Sequence, residues 1–196
     1  MPDQTNLNTY ADTLRDAIQQ SSFRGLDGAS LSSSEGVSLI HREISRVQQN
    51  GKKLLFVGNG GSATVAGHFA EDFTKVAGVR GVCFNDGPLL TCLANDFSFE
   101  EVFQKAIEMY ADTGDMLFAI SSSGKSLNIL NAVSAGKKKR CFVVTLSGFK
   151  EDNPLSHIGD VNIHTPVFSY GIVESAHSVI LHAILDVFAG TFPLKN

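Results

Sequence analysis

Two apolar runs, each passing through a cluster of small residues into a helical pattern, constrain this chain more than any other feature. The first is Leu54-Leu55-Phe56-Val57, followed by Gly58-Asn59-Gly60-Gly61-Ser62. The second is Met116-Leu117-Phe118-Ala119-Ile120, followed by Ser121-Ser122-Ser123-Gly124-Lys125-Ser126. Glycine lets the backbone turn sharply and approach a ligand closely, because positive φ costs it little. Free N–H groups and the positive dipole end at a helix start attract anions, and Ser62 is placed to cap such a start. Two loops of this kind predict a phosphorylated small molecule bound between them.

The same alternation runs on along the chain. Strands are expected at 53–58, 81–84, 115–121, 140–146 and 161–165, with helices at 62–76, 88–94, 98–110, 126–136 and 172–190. Strands apolar throughout and separated by helices imply a parallel sheet covered on both faces, whose ligand crevice lies beyond the carboxyl ends of the strands. Ahead of this region, Tyr10, Leu14 and Ile18 recur at helical spacing, predicting a helix over 5–20. The Ser/Gly-rich interval from Ser21 to Ser34 reads as a flexible connection. Val37, Ile40, Ile44 and Val47 then share one face of a second helix, which Gly51 ends. The organisation expected is an N-terminal segment, 1–34, and one α/β domain, 35–196.

Bulk properties narrow the classes of function. At 196 residues the chain has room for one well-buried domain, and 43% apolar with 18% charged residues is an ordinary globular composition. The net charge is −4, and the longest basic run, Lys137-Lys138-Lys139-Arg140, precedes a strand and so reads as a solvated helix end rather than a nucleic-acid surface. Cys83, Cys92 and Cys141 lack paired spacing and read as reduced thiols. The opening Met1-Pro2-Asp3-Gln4 does not resemble a signal peptide, and no uninterrupted apolar span reaches the ~20 residues of a membrane helix, so a cytoplasmic protein is expected.

Ser121, Ser122, Ser123 and Ser126 surround Gly124 where a helix should begin, more hydroxyls than capping requires. With backbone N–H groups they can satisfy phosphate oxygens without a metal. The P-loop spacing is absent, which excludes a nucleotide cofactor from the reading. His68 and Asp72, four apart, share a helical face, while Glu71 points about 100° away. Glu174 and His182, eight apart in the last helix, also share a side, with His177 rotated off it. Carboxylates and imidazoles from two helices can transfer protons or hold a divalent ion such as zinc; equally, they can be hydrogen-bonded core histidines. Asp96, in Asn95-Asp96-Phe97, can bind a sugar hydroxyl or cap the helix expected near Ser98.

Taken together, Gly58–Ser62, His68-Phe69-Ala70-Glu71-Asp72, Asn95-Asp96-Phe97, Ile120–Asn128 and the His177 to His182 spacing resemble the sugar isomerase (SIS) domain family, in its phosphoheptose isomerase branch. The resemblance covers roughly residues 35–190. It implies a three-layer α/β/α sandwich with a five-stranded parallel sheet, and a homotetramer with active sites shared between subunits. The implied reaction is aldose–ketose isomerisation through an enediol, converting sedoheptulose 7-phosphate to D-glycero-D-manno-heptose 7-phosphate. Its acid–base pair falls on His182 and Asp72, with Glu71 beside the latter. Substrate contacts fall on Asn59, Gly60, Ser62, Asp96, Ser121, Ser122, Ser123 and Ser126, and a zinc set on His68, Asp72, Glu174 and His182. The chain departs from the pattern where Asp72 replaces a glutamate, Gly171 an aspartate and Glu174 a glutamine. A second class of function, a non-catalytic phosphosugar-binding protein acting as a regulatory or assembly partner (as in replication initiation), fits the same motifs; His182 favours the enzyme.

Overall fold

The computed structural model describes residues 6–192, so Thr5, the first residue of the expected N-terminal helix, lies outside them. In chain order the elements are α1 (Leu7–Gln19), β1 (Ser22–Gly25), β2 (Ser30–Leu31), α2 (Ser33–Gln49), β3 (Leu54–Gly58), α3 (Gly61–Ala77), β4 (Gly81–Cys83), α4 (Gly87–Asp96), α5 (Val102–Tyr110), β5 (Met116–Ser121), α6 (Leu127–Lys138), β6 (Phe142–Gly148), a 3-10 turn (Pro154–His157), β7 (Val161–Thr165) and α7 (Tyr170–Ala189). One sheet runs in the order β2-β1-β7-β6-β5-β3-β4. Its five parallel strands, β7, β6, β5, β3 and β4, are those the alternation predicts.

The sheet has seven strands rather than five. The interval 21–34, expected as a flexible connection, supplies the other two: β1 pairs antiparallel with β7 and β2 with β1. Phe23 explains the ordering, since its ring is buried against the sheet and against Gly36 of α2, where a Cβ would collide with it. A capping box closes the start of α2, with Ser32 and Glu35 each bonding the other's backbone N–H.

Alternation along each strand builds two cores. Leu54, Phe56, Phe118 and Ile163 point towards α2, α3 and α7. Leu55, Val57, Leu117, Ala119 and Val143 point towards α4, α5 and α6. Phe56 and Phe118 stack with centroids 4.9 Å apart. By length and composition α7 could cross a membrane, yet its apolar face is used in packing against α1, α2 and α3.

β3 and β5 are adjacent, with Gly58 opposite Ile120, and from them the chain departs in opposite directions. β3 leads through α3 to β4; β5 leads through α6 to β6, and the two helices lie on opposite faces. This is the topological switch point of the sheet, where a crevice must open at the carboxyl ends.

Candidate active site

The two small-residue loops meet at that crevice. Gly124 takes φ +63°, and a Cβ there would collide with the buried Asn153 side chain, so only glycine fits. The Gly124 carbonyl accepts from Leu155 N at 3.1 Å and the Ser122 carbonyl from Gly148 N at 2.9 Å, tying the loop to the end of β6 and to the 3-10 turn after it. Asn59 and Asn128 lock the two loops by exchanging amide hydrogen bonds, both at 2.9 Å. Asn128 is thus a structural member of the site whose role the motif alone did not disclose.

The loops line a cavity of about 340 Å³, with Asn59, Gly60, Ser62, Ser121, Ser122, Ser123 and Ser126 all at its wall. Gly61, Ile120, Tyr170 and Glu174 complete the lining. Ser126 is the N-cap residue of α6 but makes no capping bond; its Oγ instead lies 3.4 Å from that of Ser121. The buried Ser122 Oγ has no hydrogen-bond partner among the described residues. Unused hydroxyls at a helix start, in a polar cavity, suit an anion with several oxygen acceptors. Ser62 does not cap α3 as expected: the N-cap is Gly60, no side chain caps that helix, and Ser62 lies buried one residue inside it.

His68, Asp72 and His182 come together elsewhere on α3 and α7. His68 Nε2 lies 3.1 Å from Asp72 Oδ2 and 3.3 Å from His182 Nε2. Phe69 buttresses His182 edge-on, with ring centroids 4.8 Å apart. Lys75 Nζ takes the other Asp72 oxygen, Oδ1, at 3.2 Å. Ligand atoms of the three residues all lie within 4.8 Å of one another, so two imidazoles and a carboxylate form a group able to hold a metal ion. Three protein ligands with an open fourth position is the arrangement of a catalytic zinc site.

Three expected members stand apart. Glu71 is exposed and outside the group, as its 100° offset requires. Glu174 is not with His182 but in the serine cavity, because eight residues along a helix share an azimuth while separating two side chains by about 12 Å of rise. Asp96 neither lines the cavity nor caps α5: it ends α4, exposed, accepting from Asn95 Nδ2 at 3.0 Å, while the N-cap residue of α5 is Glu101, which makes no side-chain capping bond. His177 is fully buried, bonding the Ser147 carbonyl at 3.0 Å. A larger cavity, about 520 Å³, lies between α1 and the start of α7, but Leu7, Tyr10, Val167 and Ile172 offer it no carboxylate, imidazole or amine.

Comparison with known proteins identifies the family. A SIS domain family model matches residues 29–148. Over 145 residues the chain is 37% identical to the phosphoheptose isomerase of Helicobacter hepaticus, covering 71% of this chain and 74% of that one. It is likewise 37% identical over 145 residues to the phosphoheptose isomerase of Vibrio cholerae, covering 71% and 75%. The solved structure of phosphoheptose isomerase GmhA from Neisseria gonorrhoeae superposes with a TM-score of 0.78 at 26% identity, covering 94% of this chain and 96% of that one. By its fold, its two loops and these relatives, the chain belongs to the SIS domain family, in the phosphoheptose isomerase branch.

Proposed function

We propose that this protein is an aldose–ketose isomerase that converts sedoheptulose 7-phosphate to D-glycero-D-manno-heptose 7-phosphate. One observation carries the reading: a hydroxyl-lined cavity at the switch point shares the helix pair α3 and α7 with an imidazole–carboxylate group. The phosphate occupies the cavity, held by Ser121, Ser122, Ser123 and Ser126, with Asn59, Gly60 and Ser62 along the sugar. Anchoring the phosphate orients the reacting end, and orientation of this kind supplies a large share of a catalytic barrier. Enediol chemistry moves one proton between carbons and another between oxygens. His182, with Asp72 as its partner, serves the oxygens, an imidazole being suited to proton transfer near neutral pH.

His68, Asp72 and His182 are the residues that would hold zinc, which when bound polarises the substrate's oxygens as a Lewis acid. The metal-free acid–base pair uses the same side chains. The residues of this chemistry all lie within 35–196; ahead of them α1 packs on α7, and β1 and β2 extend the sheet. A homotetramer with shared sites is supported by two separate apolar surfaces: Leu7, Tyr10, Phe168 and Tyr170 around the start of α7, and Phe97, Phe99, Met109 and Tyr110 by α4 and α5. Two unlike self-complementary patches build a dimer of dimers. Free thiols and a phosphosugar substrate fit work in the cytoplasm.

A panel of C5, C6 and C7 ketose phosphates, assayed for isomerisation with and without zinc, tests the proposal. Turnover of sedoheptulose 7-phosphate is expected. Phosphosugar binding without turnover of any ketose, in either metal state, would replace the enzyme by a non-catalytic binding partner.

A further inference from the structure

Three aromatic side chains gather at the mouth of the serine cavity, and the chemistry above gives none of them a task. Phe149 follows directly on Gly148, the last residue of β6, and takes φ +60°. Among the described residues only Arg140 shares a positive φ without being glycine. For a bulky side chain this is a strained conformation, which persists only where its surroundings hold it. The ring so delivered stacks on Phe168 with centroids 5.6 Å apart, and meets the Tyr170 ring edge-on at 4.9 Å. The preceding Gly148 N–H is the group that holds the Ser122 carbonyl, so the aromatic rim and the phosphate loop share one anchor.

Tyr170 is the first residue of α7, and it lines the serine cavity with Ser121, Ser126 and Glu174. Its neighbours Ser169 and Ile172 line the other cavity, beside α1, so the first turn of α7 divides its side chains between the two. Of the apolar surface formed by Leu7, Tyr10, Phe168 and Tyr170, Tyr170 alone reaches the serine cavity. Along α7 it precedes Glu174 by one turn and His182 by about 18 Å of rise. It therefore stands at the phosphate end of the site, away from the reacting carbons. The serine loop offers its hydroxyls from one wall, while the exposed Tyr170 stands at the open side. Among the three aromatic side chains only tyrosine carries a hydrogen-bond donor.

We propose that Tyr170 is a substrate-binding residue whose phenol O–H donates to the phosphate from the open side of the cavity, with Phe149 as its positioning residue. The inference rests on the phosphate assignment made above and adds the group that covers the anion. A phosphate monoester presents three strong acceptor oxygens, and a loop on one side of it leaves acceptor positions unmet. A donor from across the cavity completes them with a charge-assisted hydrogen bond. The aromatic body around that donor excludes water and so strengthens the bonds beneath it. The phosphate does not react, so the bond is the same in ground and transition states; losing it raises KM and spares kcat.

The test uses the full-length protein. Tyr170→Phe removes the hydroxyl and keeps the ring, while Phe149→Gly removes the buttress at a φ that suits glycine. Calorimetry reads the affinity for inorganic phosphate and for sedoheptulose 7-phosphate, turnover assays read KM and kcat, and sedimentation reads assembly. Tyr170→Phe should weaken both anions by the same factor, about tenfold, raise KM about tenfold and leave kcat within about twofold. Phe149→Gly should lose part of the same phosphate affinity with its sedimentation unchanged. Wild-type phosphate affinity in Tyr170→Phe overturns the proposal. So does a fall in kcat without a rise in KM, or a loss confined to the phosphosugar, which would put the hydroxyl on the carbon chain. Wild-type phosphate affinity in Phe149→Gly overturns its positioning role, and altered sedimentation would give the rim to a subunit contact instead. A wild-type protein that binds phosphate yet isomerises no ketose phosphate brings down the isomerase reading alone, because the affinity comparison stands without turnover. One that binds neither anion brings down the phosphate assignment and this inference together.

Discussion

Acidification should destabilise this protein through His177, a residue the proposed chemistry does not use. Its ring is fully buried under the sheet's carboxyl edge, with Nε2 donating to the Ser147 carbonyl while Nδ1 has no partner among the described residues. The neutral tautomer therefore satisfies its single N–H, and a second proton would sit at Nδ1 with nothing to accept it. Burial pushes the pKa down to about 4; the Ser147 carbonyl opposes this in part, and nearby His164 lowers it further. His164 is itself depressed by burial, against the pull of Glu151 and with a push from Arg24. An unfolded chain protonates this histidine near pH 6.5. Between about pH 6.5 and 4 the unfolded state holds the extra proton, so stability is complete above that window and falls as pH drops through it. The slope from His177 alone is about 1.4 kcal/mol per pH unit, roughly 3 kcal/mol over the whole window. Urea denaturation at pH 7.5, 6.5, 5.5 and 4.5, at one protein concentration, should show it. His177→Gln, whose amide N–H can take the place of Nε2–H, should lower stability at pH 7.5 but flatten the decline. Parallel declines in the two proteins would refute the reasoning.

Two further outcomes follow from the site. Ser121→Ala with Ser123→Ala should weaken sugar-phosphate binding by roughly 3 kcal/mol or more, over 100-fold, at ~1.5–3 kcal/mol per hydrogen bond to a charged group; unchanged affinity by calorimetry would remove phosphate from the loop. His182→Ala should lower turnover by ~100-fold or more while leaving phosphosugar affinity nearly intact, and should abolish tight zinc uptake measured by chelator competition. Equal zinc affinity in the variant would show that His68 and Asp72 are not part of a three-ligand set.

Much of the architecture was legible because it rests on strong local signals. Strands such as Leu54–Gly58 and Met116–Ser121 are buried along their whole length, so they read as unbroken apolar runs between helical patterns. Gly51 and the Lys137-Lys138 turn ended their helices where expected, Gly51 at φ +61°. β1 escaped because this four-residue strand presents one buried side chain, Phe23, in a Ser/Gly-rich setting, and its pairing partner in β7 lies about 140 residues away. Period-two patterning has too few residues to register there. Asp96 was misplaced for a related reason: α4 runs on through Asn95-Asp96, so the residue expected before a helix lies at the end of one.

The site was half legible, and the dividing line is geometrical. Helical spacing gives azimuth: four residues return a side chain to the same face one turn on, and His68 and Asp72 meet as that requires. Eight residues also return to the same face, but two turns on, and the level of a side chain along the axis is set by what its helix packs against. Here α3 and α7 lie side by side in the same direction. Gly61 meets Glu174, and seven and eight residues later His68 meets His182. The pair thus repeats one contact at two levels, about 10–12 Å apart by helix rise. The upper contact opens into the cavity beside the positive end of α3. The lower one is walled by Phe69 and anchored by Lys75. The four residues that the resemblance put in one metal set, and whose azimuths allowed it, are therefore divided by tertiary packing into a carboxylate in the cavity and an imidazole–carboxylate group below it. Only the register between two helices distant in sequence makes that division, and no local pattern encodes it.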